Sequence, residues 1–592
     1  MKKRLDTFGA LGIITCLIFF PLCLSAQSIK LTILHTNDLH SSFDGLGPDA
    51  LFTSLAGDKD PVIGNYSRLL TMIKKQREEK SKQGPVLLLD AGDFFAGSLY
   101  HLLAPRTDNK FSPELDFFIE AGYDFSTLGN HEFDPRPVGL ANMIGKIKDR
   151  IMLSPFRLIS SNLMGESAGP LGPLMGDCSN GGGPICPYAM KKISFNGVDL
   201  NIGFLGILGP DAALVSKKNR RDIKVIGLDE DNARPAFKEL YLDLQSKVDV
   251  LKRQGAQVVI LLAHAGEPED EKIAKNVNDI DLIIAGHTHQ LYSRPKKILK
   301  TWIVQAGSHG RYLGDVQFDV SKYGLNLIDG EFNHPINDEI ASDPAFLLKM
   351  NEYQKELEKY KSFLSYGKNE QIGLMKKDYP WERGRRDGEL GHLVCQGILQ
   401  ELNLKLAKNE SGASDQRPVD VYFTTASLIR SSLRLVGSET PVLFSDVFRM
   451  LPIGLAEDLT PGTPVVHFFL NESEVRMLIN FLHIYSHFSS NFYPSFSPGL
   501  KYEIRTWGIP MFNRLKDLHL NGLPFAQWPE LIHVATTEYI ADYVDKVGPM
   551  SYGLVKFVPK DQEGRALAGP LTTQEREYRL FADFLKDKKT LE

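Results

Sequence analysis

Through its first half the chain alternates between short apolar runs and longer amphipathic stretches. Ile29-Lys30-Leu31-Thr32-Ile33-Leu34-His35 alternates and then turns apolar. Pro85–Leu89, Tyr123–Leu128, Leu200–Leu205, Val258–Ala263, Leu282–Ala285 and Trp302–Gln305 are further runs of strand length. Such runs are too short for most helices, and their β-branched content predicts strands. Between them, Tyr66–Lys82 sets Leu69, Leu70 and Ile73 among charged residues, and Asp229–Gln254 reads as one long helix. Repeated strand, polar turn and helix units predict an α/β sandwich whose sheet is buried on both faces. Beyond about Asn333 the pattern changes. Asp343–Leu364 is charged, with Phe346, Leu347, Met350, Tyr353, Leu357 and Tyr360 near one stripe, which predicts a packed helix rather than a solvated spacer. A second α/β region begins near Lys368.

The strand candidates stop in an unusual set of residues. The first ends in Asp38 and His40, the second in Asp93, the third in Asn130, and the later ones in His264 and in His287 and His289. A lone Asp after a strand is ordinarily a turn former, and a lone His a satisfied polar residue. Seven oxygen and nitrogen donors at five strand ends point instead to a common site, because α/β sheets build sites beyond the carboxyl ends of their strands. Mixed N/O donors suit Zn, Mn, Fe or Co better than Ca. Two such ions ~3.5–4 Å apart activate water and neutralise phosphoryl oxygens. His131 and Asp134, three apart in a turn, can form a pair that keeps an imidazole protonated and oriented. No glycine loop ending in Lys-Ser/Thr occurs, which argues against kinase or ATPase chemistry.

Length and composition add the setting. A chain of 592 residues exceeds one core and predicts two or more domains. With 43% hydrophobic and 24% charged residues, a net charge of −5 and no basic stripe, nothing indicates a nucleic-acid polymer as partner. Lys2, Lys3 and Arg4 precede an apolar run from Phe8 to Leu24 and then Ser25-Ala26-Gln27-Ser28, which predicts a secretory signal cleaved near Ser25 or Ala26. Export to the periplasm, the cell surface or the medium follows, with no stable membrane span after cleavage. Cys23 invites a lipoprotein reading, but Phe20-Pro21-Leu22 lacks the small residues that lipidation uses. Cys178 and Cys186 flank a Gly- and Pro-rich loop able to close a small disulfide, the state an oxidising compartment favours, with two free thiols as the alternative. Cys395, in an apolar helix-like segment, is expected to be a buried, inert thiol.

The ordered motifs NDLH (37–40), GDFF (92–95), GNHEFD (129–134), AHAG (263–266) and GHTH (286–289) resemble the calcineurin-like metallophosphoesterases. HTNDLH with GNHEFD and QAGSHG (305–310) is similar, more narrowly, to the secreted bacterial 5′-nucleotidase and UDP-sugar hydrolase group. The resemblance implies a signal peptide at 1–26, a four-layer α/β/β/α metallophosphoesterase sandwich at 29–335, a linker helix at 336–367 and a smaller α/β substrate domain at 368–588. It implies that Asp38, His40, Asp93 and His289 hold one divalent metal. Asp93, Asn130, His264 and His287 would hold the other, with Asp93 bridging. His131 would face the substrate, backed by Asp134.

The second domain departs from the family pattern. An Asn-Gly-Gly loop ending in arginine is expected; the stretch Thr424-Thr425-Ala426-Ser427-Leu428-Ile429-Arg430 keeps only Arg430. Ile453 replaces the aromatic that follows Leu-Pro, whereas Tyr539 matches the second base-stacking aromatic. Two facing rings are a main source of base affinity, so Ile453 should weaken it. Arg383, Arg385 and Arg386 form a basic loop placed like the family's phosphate-facing arginines, with an exposed charged turn as the alternative. The resulting expectation is an exported two-metal hydrolase of nucleotides (5′-monophosphates, UDP-sugars or 2′,3′-cyclic nucleotides) that works by attack of a metal-bridging hydroxide. The alternatives are a hydrolase of a non-nucleotide ester on the same fold and a non-catalytic binding protein.

Overall fold

The computed structural model describes residues 29–46, 63–164, 169–178, 182–221, 223–321, 324–381, 388–408, 417–435, 437–452, 454–456, 458–488, 493–505, 515–545 and 557–592. The predicted signal segment, Cys23 included, lies outside the described residues. The first sheet is laid down by β1 (Ile29–Thr36), β2 (Val86–Asp90), β3 (Phe125–Thr127), β4 (Arg157–Ile159) and β5 (Ile185–Cys186), side by side and parallel. A hairpin of β6 (Ala189–Phe195) and β7 (Val198–Leu208) opens the second sheet. After a small separate hairpin, β8 (Leu228–Asp229) and β9 (Arg234–Pro235), the second sheet continues through β10 (Val258–His264), β11 (Leu282–Ala285) and β13 (Thr301–Val304). Antiparallel β12 (Lys296–Ile298) forms its edge. The chain then returns to the first sheet, where β14 (Tyr312–Ser321) runs antiparallel to β1 and pairs with β15 (Gly324–Ile328) and β16 (Asn333–Pro335).

Alternation along β10 explains the layers. Val258, Ile260 and Leu262 meet Leu31, Ile33, Leu87 and Leu89 between the two sheets. Val259, Leu261 and Ala263 face the other way, onto Leu240, Leu244, Val248 and Leu251 of α7 (Phe237–Arg253) and Ile273 of α8 (Glu267–Asn276). The period of two in a strand thus supplies an inner and an outer core from one apolar run. On the far side, Leu34 and Leu88 pack with α1 (Tyr66–Ser81), α2 (Pro113–Ala121) and α3 (Arg136–Gly145), which completes helix, sheet, sheet and helix layers.

Two elements differ from the pattern-based reading. The helix expected from Asp229 begins only at Phe237, because Leu228–Asp229 and Arg234–Pro235 pair as β8 and β9. Pro235 pushes Arg234 into extended backbone and cannot donate to a helix. In the linker, α9 (Pro344–Leu357) starts at Asp343, whose side chain accepts from the Phe346 N–H at 3.0 Å. Phe346, Met350, Tyr353 and Leu357 are buried against the first domain, but Leu347, one residue off the stripe, is 40% exposed. Tyr353 donates to Asp116 at 3.1 Å and Gln354 to the Tyr100 hydroxyl at 2.9 Å, so the linker is fixed to the first domain. Cys178 and Cys186 are joined by a disulfide, and Cys395 is a buried thiol whose Sγ donates to the Ser495 carbonyl at 3.3 Å.

The second α/β domain holds a mixed five-stranded sheet: Pro494–Phe496, Val421–Thr425, Leu531–Thr537, Pro464–Asn471 and Leu571–Arg576, in that spatial order. Under it, the Glu577 carboxylate is buried and accepts from the Tyr422 hydroxyl and from Thr424. Burial pushes its pKa from 4.5 up to about 7, against the pull of those two hydroxyls. The folded state therefore binds this proton more tightly than the unfolded chain. The associated stability is complete below about pH 4.5 and is lost as pH rises through about 7. Glu577→Gln, which cannot ionise, is expected to stabilise the protein at pH 8 by up to about 3 kcal/mol and to leave it unchanged near pH 4. Thermal melts of both proteins across that range check it; an equal gain at both ends would contradict it.

Candidate metal centre

Backbone shape brings the strand-end donors together. Asp38, His40, Asp93, His287 and His289 all have positive φ, between 49° and 73°. Left-handed backbone is costly for residues other than glycine, about 1–3 kcal/mol each, and it recurs where geometry serves a site. Here it folds each loop back over the end of its strand. Gly129 has a related role, because a Cβ there would stand 2.2 Å from Asp93 Oδ1.

Two donor clusters result. Asp38, His40 and His289 form one, and Asp93, His264 and His287 the other, with the donor atoms of each cluster within 4.8 Å of one another. Asn130 Oδ1, 3.3 Å from His264 Nε2, adjoins the second cluster. Asp93 Oδ2 lies 3.1 Å from His264 Nε2 and 4.0 Å from His40 Nε2, so one carboxylate oxygen faces both groups. The imidazoles are fixed from behind: His40 Nδ1 is 3.0 Å from the Ala96 carbonyl, and His264 Nδ1 2.9 Å from the Ala91 carbonyl. Each carbonyl selects the tautomer that turns a bare Nε2 toward the cluster, as ligating histidines require. His40 Nε2 and His289 Nε2 confront each other at 3.1 Å, an arrangement that a shared cation satisfies. The donor chemistry and convergence therefore fit a binuclear metal site.

Several further residues support the site without belonging to either donor cluster. Glu132, fully buried, accepts backbone N–H bonds from Gly129 at 2.5 Å, Phe95 at 2.9 Å and Asp93 at 3.0 Å, tying the β2 and β3 loops together. Asn37 donates to Asp38 at 2.7 Å and to the Gly307 carbonyl at 2.6 Å, and accepts from Ala306 N–H at 2.8 Å, joining the β1 and β13 ends. Asp211, just beyond β7, lies 3.1 Å from His287 Nε2. It sits at a strand end like the ligands, and the same logic could have found it. His309, within the QAGSHG motif, has its ring centroid 5.1 Å from that of His40 and 5.6 Å from that of His289. Glu132→Ala is expected to strand three buried donors and to lower metal affinity by about 10–100-fold. Metal titration of the folded variant checks it; wild-type affinity would remove Glu132 from this role.

Beside the clusters, His131 Nδ1 lies 2.7 Å from Asp134 Oδ2. Burial lowers the His131 pKa, but Asp134 and Asp93 outweigh it and hold the imidazole above its ordinary value, with Arg430 opposing them. The second domain reaches this point: Arg430 Nη2 is 3.4 Å from His131 Nε2. Arg430 Nε is buried without a hydrogen-bond partner among the described residues. A narrow cleft here is lined by His40, His131 and His309 from the first domain and by Arg430, Arg449 and Pro452 from the second. Tyr539 stands in a neighbouring cleft with Asn219, Leu455 and Asp542, where Lys218 pairs across the domains with Glu538 at 3.2 Å and Asp542 at 2.7 Å. Arg383, Arg385, Arg386 and Ile453 lie outside the described residues.

The calcineurin-like phosphoesterase family model matches residues 31–291, a span that holds both donor clusters. The rat 5′-nucleotidase is 28% identical over 411 residues, 64% of this chain and 61% of the rat protein. The chain thus spans about three-fifths of the length of that curated relative. The first domain thus matches the calcineurin-like phosphoesterases, and the chain is similar to 5′-nucleotidases. Its fold extends the likeness to both domains. A 5′-nucleotidase precursor from Thermus thermophilus superposes with a TM-score of 0.67 at 22% identity, over 95% of this chain and 97% of that one. The sulfate thiohydrolase SoxB of the same organism, solved with glycerol, superposes with a TM-score of 0.61 at 18% identity, over 95% of this chain and 94% of that one. The metallophosphoesterase fold alone is therefore common to proteins named for different esters.

Proposed function

We propose that this protein is an exported two-metal phosphoester hydrolase acting on a nucleotide. One observation carries the reading: Asp93 faces both donor clusters through Oδ2, while its Oδ1 accepts from the His131 N–H at 2.9 Å. The carboxylate that addresses the metals thus also places the imidazole that addresses the substrate. When bound, the two ions supply an activated water and neutralise phosphoryl oxygens. Asp134 keeps the His131 proton on Nδ1 and turns Nε2 into the cleft, where it meets a phosphoryl or leaving oxygen. Arg430 brings a guanidinium to the same point, the group best matched to a planar pair of phosphate oxygens. Asp38, His40, Asp93, Asn130, His264, His287 and His289 would hold the ions. Tyr539, in the neighbouring cleft, borders the position of the base.

Export is supported by the apolar leader between Lys2 and Leu24 and by the Cys178–Cys186 bond, which an oxidising compartment preserves. A non-nucleotide ester is the second reading, favoured by isoleucine at 453, which removes one ring of a base-stacking pair. A panel on the metal-loaded protein tests both: a nucleoside 5′-monophosphate, a UDP-sugar, a 2′,3′-cyclic nucleotide and an aryl phosphodiester, with Mn or Zn. Turnover of a nucleotide above the aryl ester is expected. Aryl ester alone would move the assignment to the second reading, and no turnover with both ions bound would overturn hydrolysis.

A further inference from the structure

His131 is oriented by Asp134, and the structure shows in turn what orients Asp134. Its Oδ2 lies on His131 Nδ1, and its Oδ1 accepts from Asn219 Nδ2 at 3.1 Å. Arg136 Nη1 donates to Asn219 Oδ1 at 2.6 Å and to the Asp134 carbonyl at 3.2 Å. With a guanidinium donor on one side and a carboxylate acceptor on the other, the Asn219 amide has a single orientation. That orientation holds the second oxygen of Asp134 and so fixes the angle of the first.

Asn219 sits on α6 (Lys217–Arg220), a single turn far from Asp134 in sequence and anchored from within the protein. Arg220, fully buried, donates to the Ala213 carbonyl at 2.8 Å, to Ser216 Oγ at 3.2 Å, to Glu230 at 3.1 Å and to the Ile223 carbonyl. A guanidinium with four protein acceptors makes α6 a firm support rather than a surface turn. We infer that Asn219 is a positioning residue for the His131–Asp134 pair. It acts through Asp134, whose Oδ1 it holds. Asp at 219 would set a carboxylate against a carboxylate, and Leu would keep the volume but remove both hydrogen bonds.

The test is a double-mutant cycle of Asn219→Leu and Asp134→Ala on the full, Mn-loaded chain, with two readouts. One is the affinity for orthovanadate, which needs no turnover; the other is hydrolysis of p-nitrophenyl phosphate, which rests on the hydrolase reading. Asn219→Leu is expected to weaken vanadate binding and kcat by about 10-fold, with KM and metal content near wild type. In the Asp134→Ala background it should cause no further loss, and Asn219→Asp should be worse than Asn219→Leu. Should the leucine variant fail to fold, Asn219→Ser replaces it in the cycle. Losses that multiply in the double variant, or wild-type vanadate affinity in Asn219→Leu, would overturn the inference. Vanadate binding without hydrolysis in the wild type would remove the hydrolase reading and leave the vanadate cycle to decide.

Discussion

Asp93→Asn is expected to abolish phosphoester hydrolysis and to lower the metal content to one ion per chain or fewer. The substitution is nearly isosteric, and asparagine tolerates the φ of 54° that this residue adopts, so the variant keeps its fold. What it loses is charge. Asp93 Oδ2 is within 3.1 Å of His264 and 4.0 Å of His40, one residue from each cluster, so the deficit falls on both sites. Breaking a buried charge pair costs about 3–5 kcal/mol, and two deficits at one centre correspond to a rate loss of about 10⁴-fold or more. Elemental analysis and turnover of an aryl phosphate, measured on the same preparation, check the two halves. Retained turnover with two ions bound would sink the shared role of Asp93.

Arg430→Met is expected to lower kcat/KM by about 10²–10³-fold with the metal content unchanged. Methionine keeps part of the apolar stem and removes the guanidinium that stands 3.4 Å from His131. Burial draws the Arg430 pKa down, and Tyr539, Asp93, Asp134 and Asp38 oppose it, so this cation sits in the field of the metal-site carboxylates without being paired to one. Under the proposed function, such a group would meet the anionic substrate. Arg430→Lys should recover little, since an ammonium lacks the planar fork. A variant that kept wild-type kcat/KM while binding both ions would show that the second domain is a spectator at the reacting group.

Much of this site is visible in the residues themselves, and the reason is physical. A strand buried on both faces is an apolar run with a hard stop, and β1, β2, β3, β10 and β11 each stop at the donors that form the clusters. The layer that supports them leaves no such trace. Glu132 works by accepting three backbone N–H groups, and backbone partners carry no residue identity to read. Asn219 reaches Asp134 across 85 positions, and no periodicity connects them. The helix boundary at Phe237 was lost to a two-residue pairing that tertiary packing stabilises, and Leu347 shows how one position of helical rotation separates a buried stripe from solvent. Arg430 could be picked out by motif, but its approach to His131 depends on how the second domain meets the first.

The clusters also bear on how the first domain holds together. Asp38, His40, Asp93 and Asn130 belong to one sheet and His264, His287 and His289 to the other, so each ion would be a stitch across the seam between sheets. His40 and His289 are 249 positions apart, and Asn130 and His264 are 134, so each stitch closes a long loop of the unfolded chain. An ion present at about 100 times its dissociation constant adds about 2.7 kcal/mol to folding. Metal supply would then bear on stability as well as turnover, and chelation is expected to lower the resistance of the folded chain to proteolysis.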